Sequence, residues 1–158
     1  MAKEIENRVR EYLERRLNLK FEAARLDIGT REKVDGWIQL AKPWLLILEV
    51  EDQQPHPTTN VLKLWPFLET RRDVAAVLVH VYFPTSRVAT GSRSDLATWL
   101  GKRLERMFPK RFKYQRLDIN WAGDTCKGYE DLVRAVQSLN HGRTSRSNRS
   151  RAKTRAPV

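Results

Sequence analysis

The chain has 158 residues, with 30 Lys and Arg against 19 Asp and Glu, for a net charge of +11. That length suits one domain with a single sheet-and-helix core plus a tail. The lone cysteine, Cys126, excludes an internal disulfide and fits a reducing, cytoplasmic compartment. No apolar run is long enough to span a bilayer, and the charged N-terminus does not read as a signal peptide, so no membrane partner is expected.

Residues 4–17 show helical periodicity, with Ile5, Val9, Tyr12, Leu13 and Leu17 on one arc. Glu6 falls inside that arc, whereas Glu4, Glu11 and Glu14 fall outside it. A carboxylate on a buried face needs a partner, and Arg16 and Arg10 are both in reach. Residues 35–40 alternate weakly and read as a strand, joined by the short link Ala41-Lys42-Pro43 to a second strand, residues 44–51. The second strand is apolar on both faces and reads as central. If Leu40 pairs with Trp44, Asp35 lies opposite Glu49, and Glu51 is a diagonal neighbour on the same face. Carboxylates gathered at a buried strand end repel each other and lose hydration, so a positive partner is expected between them. A divalent metal is the first candidate.

A polar loop follows, then a helix over residues 59–72. Its packing stripe is Val61, Leu64, Trp65 and Leu68, with a kink expected at Pro66. Asn60 and Lys63 lie near its start, close to the acidic strand end. Residues 75–83 form the next strand, with Leu78, His80 and Tyr82 on one face and His80 read as a packing residue. The loop over residues 84–92 carries Arg87, a candidate substrate contact. The next helix runs to Met107 with Leu96, Trp99, Leu100, Leu104 and Met107 expected inside and Lys102, Arg103 and Arg106 outside. Lys110, Arg111 and Lys113 alternate with aromatics, which suits either a grip on single-stranded nucleic acid or a charge-guarded edge strand. A late strand continues to Trp121, and a last helix over residues 129–139 packs Leu132, Val133, Val136 and Leu139.

The domain therefore covers residues 1–140, and residues 141–158 form a basic tail expected to be disordered in isolation. The tail holds six Lys or Arg, including Arg146, Arg149 and Arg151, and no acid, which suits a phosphate backbone. No phosphate-loop, nucleophile-elbow or zinc spacing is present.

Asp35, thirteen residues, then Glu49-Val50-Glu51 resembles the acidic motif of the PD-(D/E)XK nuclease superfamily, the restriction-endonuclease-like fold. The resemblance implies an α/β fold with a single mixed β-sheet flanked by helices. The expected order is helix, three strands, helix, strand, helix, strand, helix. It also implies metal-dependent hydrolysis of phosphodiester bonds, with DNA the expected nucleic-acid partner and a homodimer compatible with it. Asp35 and Glu49 would hold Mg²⁺ or Mn²⁺, with Glu6 supporting them from the first helix. Glu51 stands where the family usually has Lys, and would complete the coordination or serve as general base. Lys63 would supply the missing positive charge, and Asn60 and Lys63 would contact phosphate or water. The absent motif lysine equally suits a catalytically inactive nucleic-acid-binding protein on the same fold. An assembly subunit, its carboxylates serving a structural ion or a partner's arginine, is a third possibility.

Overall fold

A computed structural model of the protein describes residues 2–29, 33–51, 56–83 and 92–141. Helix α1 (Ala2–Leu17) leads into β1 (Gly36–Gln39) and β2 (Trp44–Glu51). Two short helices, α2 (Pro57–Leu62) and α3 (Leu64–Thr70), cross to β3 (Ala75–Tyr82). Helix α4 (Ser92–Met107) then crosses to β4 (Phe112–Asn120), followed by β5 (Thr125–Lys127) and α5 (Tyr129–His141). The strands form one mixed sheet in the order β1-β2-β3-β4-β5. The inner pairs β2–β3 and β3–β4 are parallel, and the outer pairs are antiparallel. The α/β class read from the sequence is the observed one. No helix among the described residues is long and apolar enough to cross a membrane.

Strand alternation sorts the core into two layers. Leu46, Leu48 and Val50 of β2 and Val77, Val79 and Val81 of β3 meet Val9, Tyr12 and Leu13 of α1 and Leu132 and Val136 of α5. Leu45 and Ile47 of β2, with Ala76 and Leu78 of β3, meet Val61, Leu64, Phe67 and Leu68 of α2 and α3 and Ala97 and Leu104 of α4. A strand covered on both faces must be apolar at every position, which explains the unbroken run Leu45 to Leu48. The first hairpin has the register expected of it. Leu40 donates its N–H to the Trp44 carbonyl at 3.0 Å, and Gly36 lies opposite Leu48. The ladder ends at Gly36, and beyond it the Asp35 N–H donates to the Leu48 carbonyl at 3.2 Å. The link contains a cis peptide bond between Lys42 and Pro43.

Four details depart from the sequence reading. Two strands, not three, precede the crossover among the described residues. Beside β1 the chain makes one strand-like bond, from the Glu22 N–H to the Trp37 carbonyl at 2.9 Å. The helix expected over residues 59–72 divides at Lys63. Pro66 has no N–H to give the Leu62 carbonyl, so the break falls one turn before the proline, which then occupies the first turn of α3. Residues 125–127 add a short strand that the sequence reading left out. Lastly, α4 is rotated from its expected orientation. It buries Ser94, Ala97, Gly101 and Leu104 and leaves Leu96, Trp99 and Met107 exposed.

Side-chain volume explains the rotation. A Cβ added at Gly101 would lie 2.1 Å from the Tyr114 ring, so the helix approaches β4 more closely than any larger residue permits. Helix propensity alone would make Gly101→Ala stabilising by about 1 kcal/mol. Overpacking against Tyr114 should reverse the sign, giving a net loss of about 1–3 kcal/mol in urea unfolding.

Candidate functional site

The apolar lining on the α2–α4 face stops at the C-terminal ends of the parallel strands. Parallel pairing sets Glu49 beside His80 and His80 beside Arg116, then Glu51 beside Tyr82 and Tyr82 beside Asp118. Asp35 joins from the β1 side, and Lys63 and Asn60 reach in from the α2–α3 junction. Glu49, Glu51, Asn60, Lys63 and His80 are all buried.

The Lys63 ammonium lies 2.8 Å from Glu49 Oε1. Its aligned hydrogen bonds go elsewhere, to the Lys33 carbonyl at 2.6 Å and Asn60 Oδ1 at 3.0 Å. Glu49 Oε1 thus has a cation in contact but no aligned donor. Asn60 donates from Nδ2 to Glu51 Oε1 at 2.7 Å. His80 Nε2 meets the same oxygen at 2.5 Å. Glu51 Oε2 has no hydrogen-bond partner among the described residues. Asp35 Oδ2 accepts the Val50 N–H at 2.7 Å, which ties the strand before β1 to the acidic end of β2.

Burial decides the protonation of this cluster. It raises Glu49 well above the ordinary carboxylate range, opposed by the Lys63 ammonium and reinforced by Asp35 and Glu51. Burial also raises Asp35, against the pull of the Val50 N–H and Lys63. It lowers His80, against its contact with Glu51, so the ring is neutral at ordinary pH. A neutral imidazole donates from one nitrogen only. The carboxylate claims that proton at Nε2, leaving Nδ1 to accept from Tyr114 Oη at 3.0 Å or Tyr82 Oη at 3.1 Å. Burial pushes Tyr114 up to about 12 and Tyr82 higher still, so both hydroxyls keep their protons to donate. Arg116 closes the row. Its guanidinium stacks on Tyr82 at 4.6 Å and donates to Asp118 from Nη2 at 2.9 Å.

Asp35, Glu49, Glu51, Asn60 and Lys63 therefore converge as the sequence predicts. Glu6 belongs to α1, which packs on the opposite face of the sheet, under Leu46, Leu48 and Val50. Lys113 pairs with Val77 near the N-terminal ends of the parallel strands, away from the acids, and Lys110 precedes it. Arg111 is used structurally, donating to the Leu68 carbonyl at 2.6 Å and the Arg71 carbonyl at 3.1 Å at the end of α3. Arg87, Arg146, Arg149 and Arg151 lie outside the described residues. His80, read from the sequence as a packing residue, is the hub of the cluster. Its only sequence signal is that it shares a strand face with Tyr82.

Among the described residues no three of His, Cys, Asp and Glu are grouped to hold a metal ion. Two carboxylates are nevertheless within the usual needs of Mg²⁺, which keeps several waters and takes its remaining oxygens from substrate phosphate. Asp35 and Glu49 offer hard oxygen donors, and Glu49 Oε1 and Glu51 Oε2 are buried without a hydrogen bond from the described residues. Comparison with protein-family models, curated proteins and solved structures finds no match to this chain.

Replacing Lys63 by Met leaves Glu49 buried without its cation. The expected loss of stability is about 3–5 kcal/mol near neutral pH. A carboxyl whose folded pKa is raised binds a proton that the unfolded chain releases, so stability falls as pH rises from the ordinary value of 4.5 toward the folded one. Urea unfolding of Lys63→Met should therefore show a smaller loss at about pH 5 than at about pH 8.

Proposed function

We propose that this protein is a metal-dependent nuclease that hydrolyses phosphodiester bonds of DNA. The observation that carries this reading is the Lys63 ammonium 2.8 Å from Glu49. A lysine from the crossover helix stands beside the acids, where the resembling family usually takes one from the position of Glu51. Asp35, Glu49 and a nearby lysine form the charge set that phosphodiester hydrolysis needs, with carboxylates for the metal and a cation for the phosphate.

Asp35 and Glu49 would hold Mg²⁺ or Mn²⁺, which supplies charge to the phosphate and acidifies water. Lys63 stabilises negative charge on a phosphate oxygen from the Glu49 side. Glu51 accepts the proton of the attacking water at Oε2, the oxygen without a hydrogen-bond partner among the described residues. His80 and Asn60 grip Oε1 and so fix the direction of Oε2. A buried carboxylate held this way cannot rotate to satisfy itself elsewhere. The basic body and tail attract the substrate, which an excess of +11 charges favours at low salt.

One observation favours a second reading, a catalytically inactive nucleic-acid-binding protein. Lys63 already pairs with Glu49, and Asn60 and His80 already engage Glu51, so the cluster is partly neutralised from within. A nuclease assay separates the two. Purified protein is mixed with supercoiled plasmid, linear duplex, single strands and RNA, in Mg²⁺, Mn²⁺ or EDTA. The expected result is metal-dependent cutting of DNA, reduced by roughly 100-fold or more in Asp35→Asn, Glu49→Gln and Lys63→Met. Intact DNA binding without cutting in any metal selects the inactive reading.

The tail has its own test. Deleting residues 142–158 removes six Lys and Arg. The slope of log affinity for duplex DNA against log salt should become shallower by up to about 5. An unchanged slope would exclude the tail from phosphate contact.

A further inference from the structure

Helix α4 hides its small residues and shows its large ones. Leu96, Trp99 and Met107 are 55%, 56% and 43% exposed, and Leu62 of the neighbouring α2 is 46% exposed. The close contact of Gly101 with Tyr114 holds this orientation. Asp95, Arg103 and Arg106 are also exposed. At about 100° per residue, Asp95, Leu96, Trp99, Arg103, Arg106 and Met107 share an outward arc of about 120°.

We infer that this arc is the interface of a symmetric homodimer, with α4 packed antiparallel against α4 of a second copy. A two-fold interface must be complementary to its own reverse. Reversing the helix about its middle, near Gly101, sets Asp95 against Arg106 of the second copy, Leu96 against Met107, and Trp99 against Arg103. The three pairings share one centre to within a residue. Each is favourable in kind: acid with base, apolar with apolar, and guanidinium on indole. A parallel pairing would instead set Asp95, Arg103 and Arg106 each against its own copy. Asp95 keeps its outer side available, since its side chain is 83% exposed and its ion pair with Arg116 is long at 3.8 Å. The exposed carboxylate of Asp95 on the same arc also counts against a nucleic-acid platform there. The inference stands apart from the nuclease reading, because none of these residues belongs to the acidic cluster.

A seam made by one four-turn helix is small beside stable dimer interfaces, so the dimer should be weak and concentration-dependent. Sedimentation equilibrium of the full chain over a concentration series tests it. The mass should rise toward twice the 18.5 kDa of one chain. Asp95→Arg should weaken association roughly tenfold, because the broken pair occurs twice. Arg106→Asp should do the same, and the double variant should restore association. That restoration is beyond the reach of a merely misfolded variant. Trp99→Ala should leave a folded monomer, checked by circular dichroism. A monomer at every concentration overturns the inference. So does a dimer indifferent to Trp99→Ala and to both charge changes. A monomer whose Trp fluorescence is quenched by single-stranded oligonucleotide, and not in Trp99→Ala, would make the arc a stacking platform instead.

Discussion

Glu49 and Glu51 are buried at the end of a strand that is covered on both faces. Taking a carboxylate out of water costs several kcal/mol, and two of them on one strand face also repel each other. Much of the surrounding architecture answers that cost. The α2–α3 break lies at Lys63, whose ammonium reaches Glu49. Asn60, one turn earlier, reaches Glu51 and also accepts from Lys63. β3 contributes a neutral His80 to the same carboxylate, and two tyrosines hold that imidazole from behind. Among the described residues the compensation is incomplete, since Glu49 Oε1 and Glu51 Oε2 lack hydrogen bonds. A fold optimised for stability alone would place apolar groups here.

The same side of the sheet shows how packing and charge divide the work. Its lower part, from Leu45 and Ala76 to Phe112, is filled with aliphatic and aromatic side chains. Its upper part is a polar row from Asp35 across to Asp118. Tyr114 belongs to both. Its ring is clamped under Gly101, and its hydroxyl contacts His80. The tight fit of α4 is thereby connected to the orientation of His80 and so to Glu51. It also turns the larger apolar residues of α4 outward.

Local signals and long-range ones were not equally legible. The first hairpin was readable because the short link at residues 41–43 fixes where the two strands turn, and a slip of one residue would put Asp35 on the wrong face. Lys63 was readable as a candidate because it follows the acids closely in the chain. His80 was not, since a histidine among valines in a strand reads as packing. Only the parallel register, which sets it beside Glu49 and within reach of Glu51, gives it a role. The face of α4 was misread for a related reason. Hydrophobic periodicity favours Leu96, Trp99 and Met107, but the sheet selected the residues small enough to come close.

By itself the sequence determined the α/β class, the central strand, the hairpin register and the meeting of Asp35, Glu49 and Glu51. Those follow from apolar runs, turn residues and the two-residue period of a strand, all of which act between near neighbours. The tertiary structure decided that Lys63 is the counter-charge, that His80, Tyr82, Tyr114 and Arg116 form one polar row, and that α1 packs on the opposite face of the sheet. Those depend on crossovers that bring residues some 30 positions apart into contact, such as Glu51 with His80 and His80 with Tyr114. Where such strands meet is set by how whole helices pack on the sheet, and no local pattern encodes that.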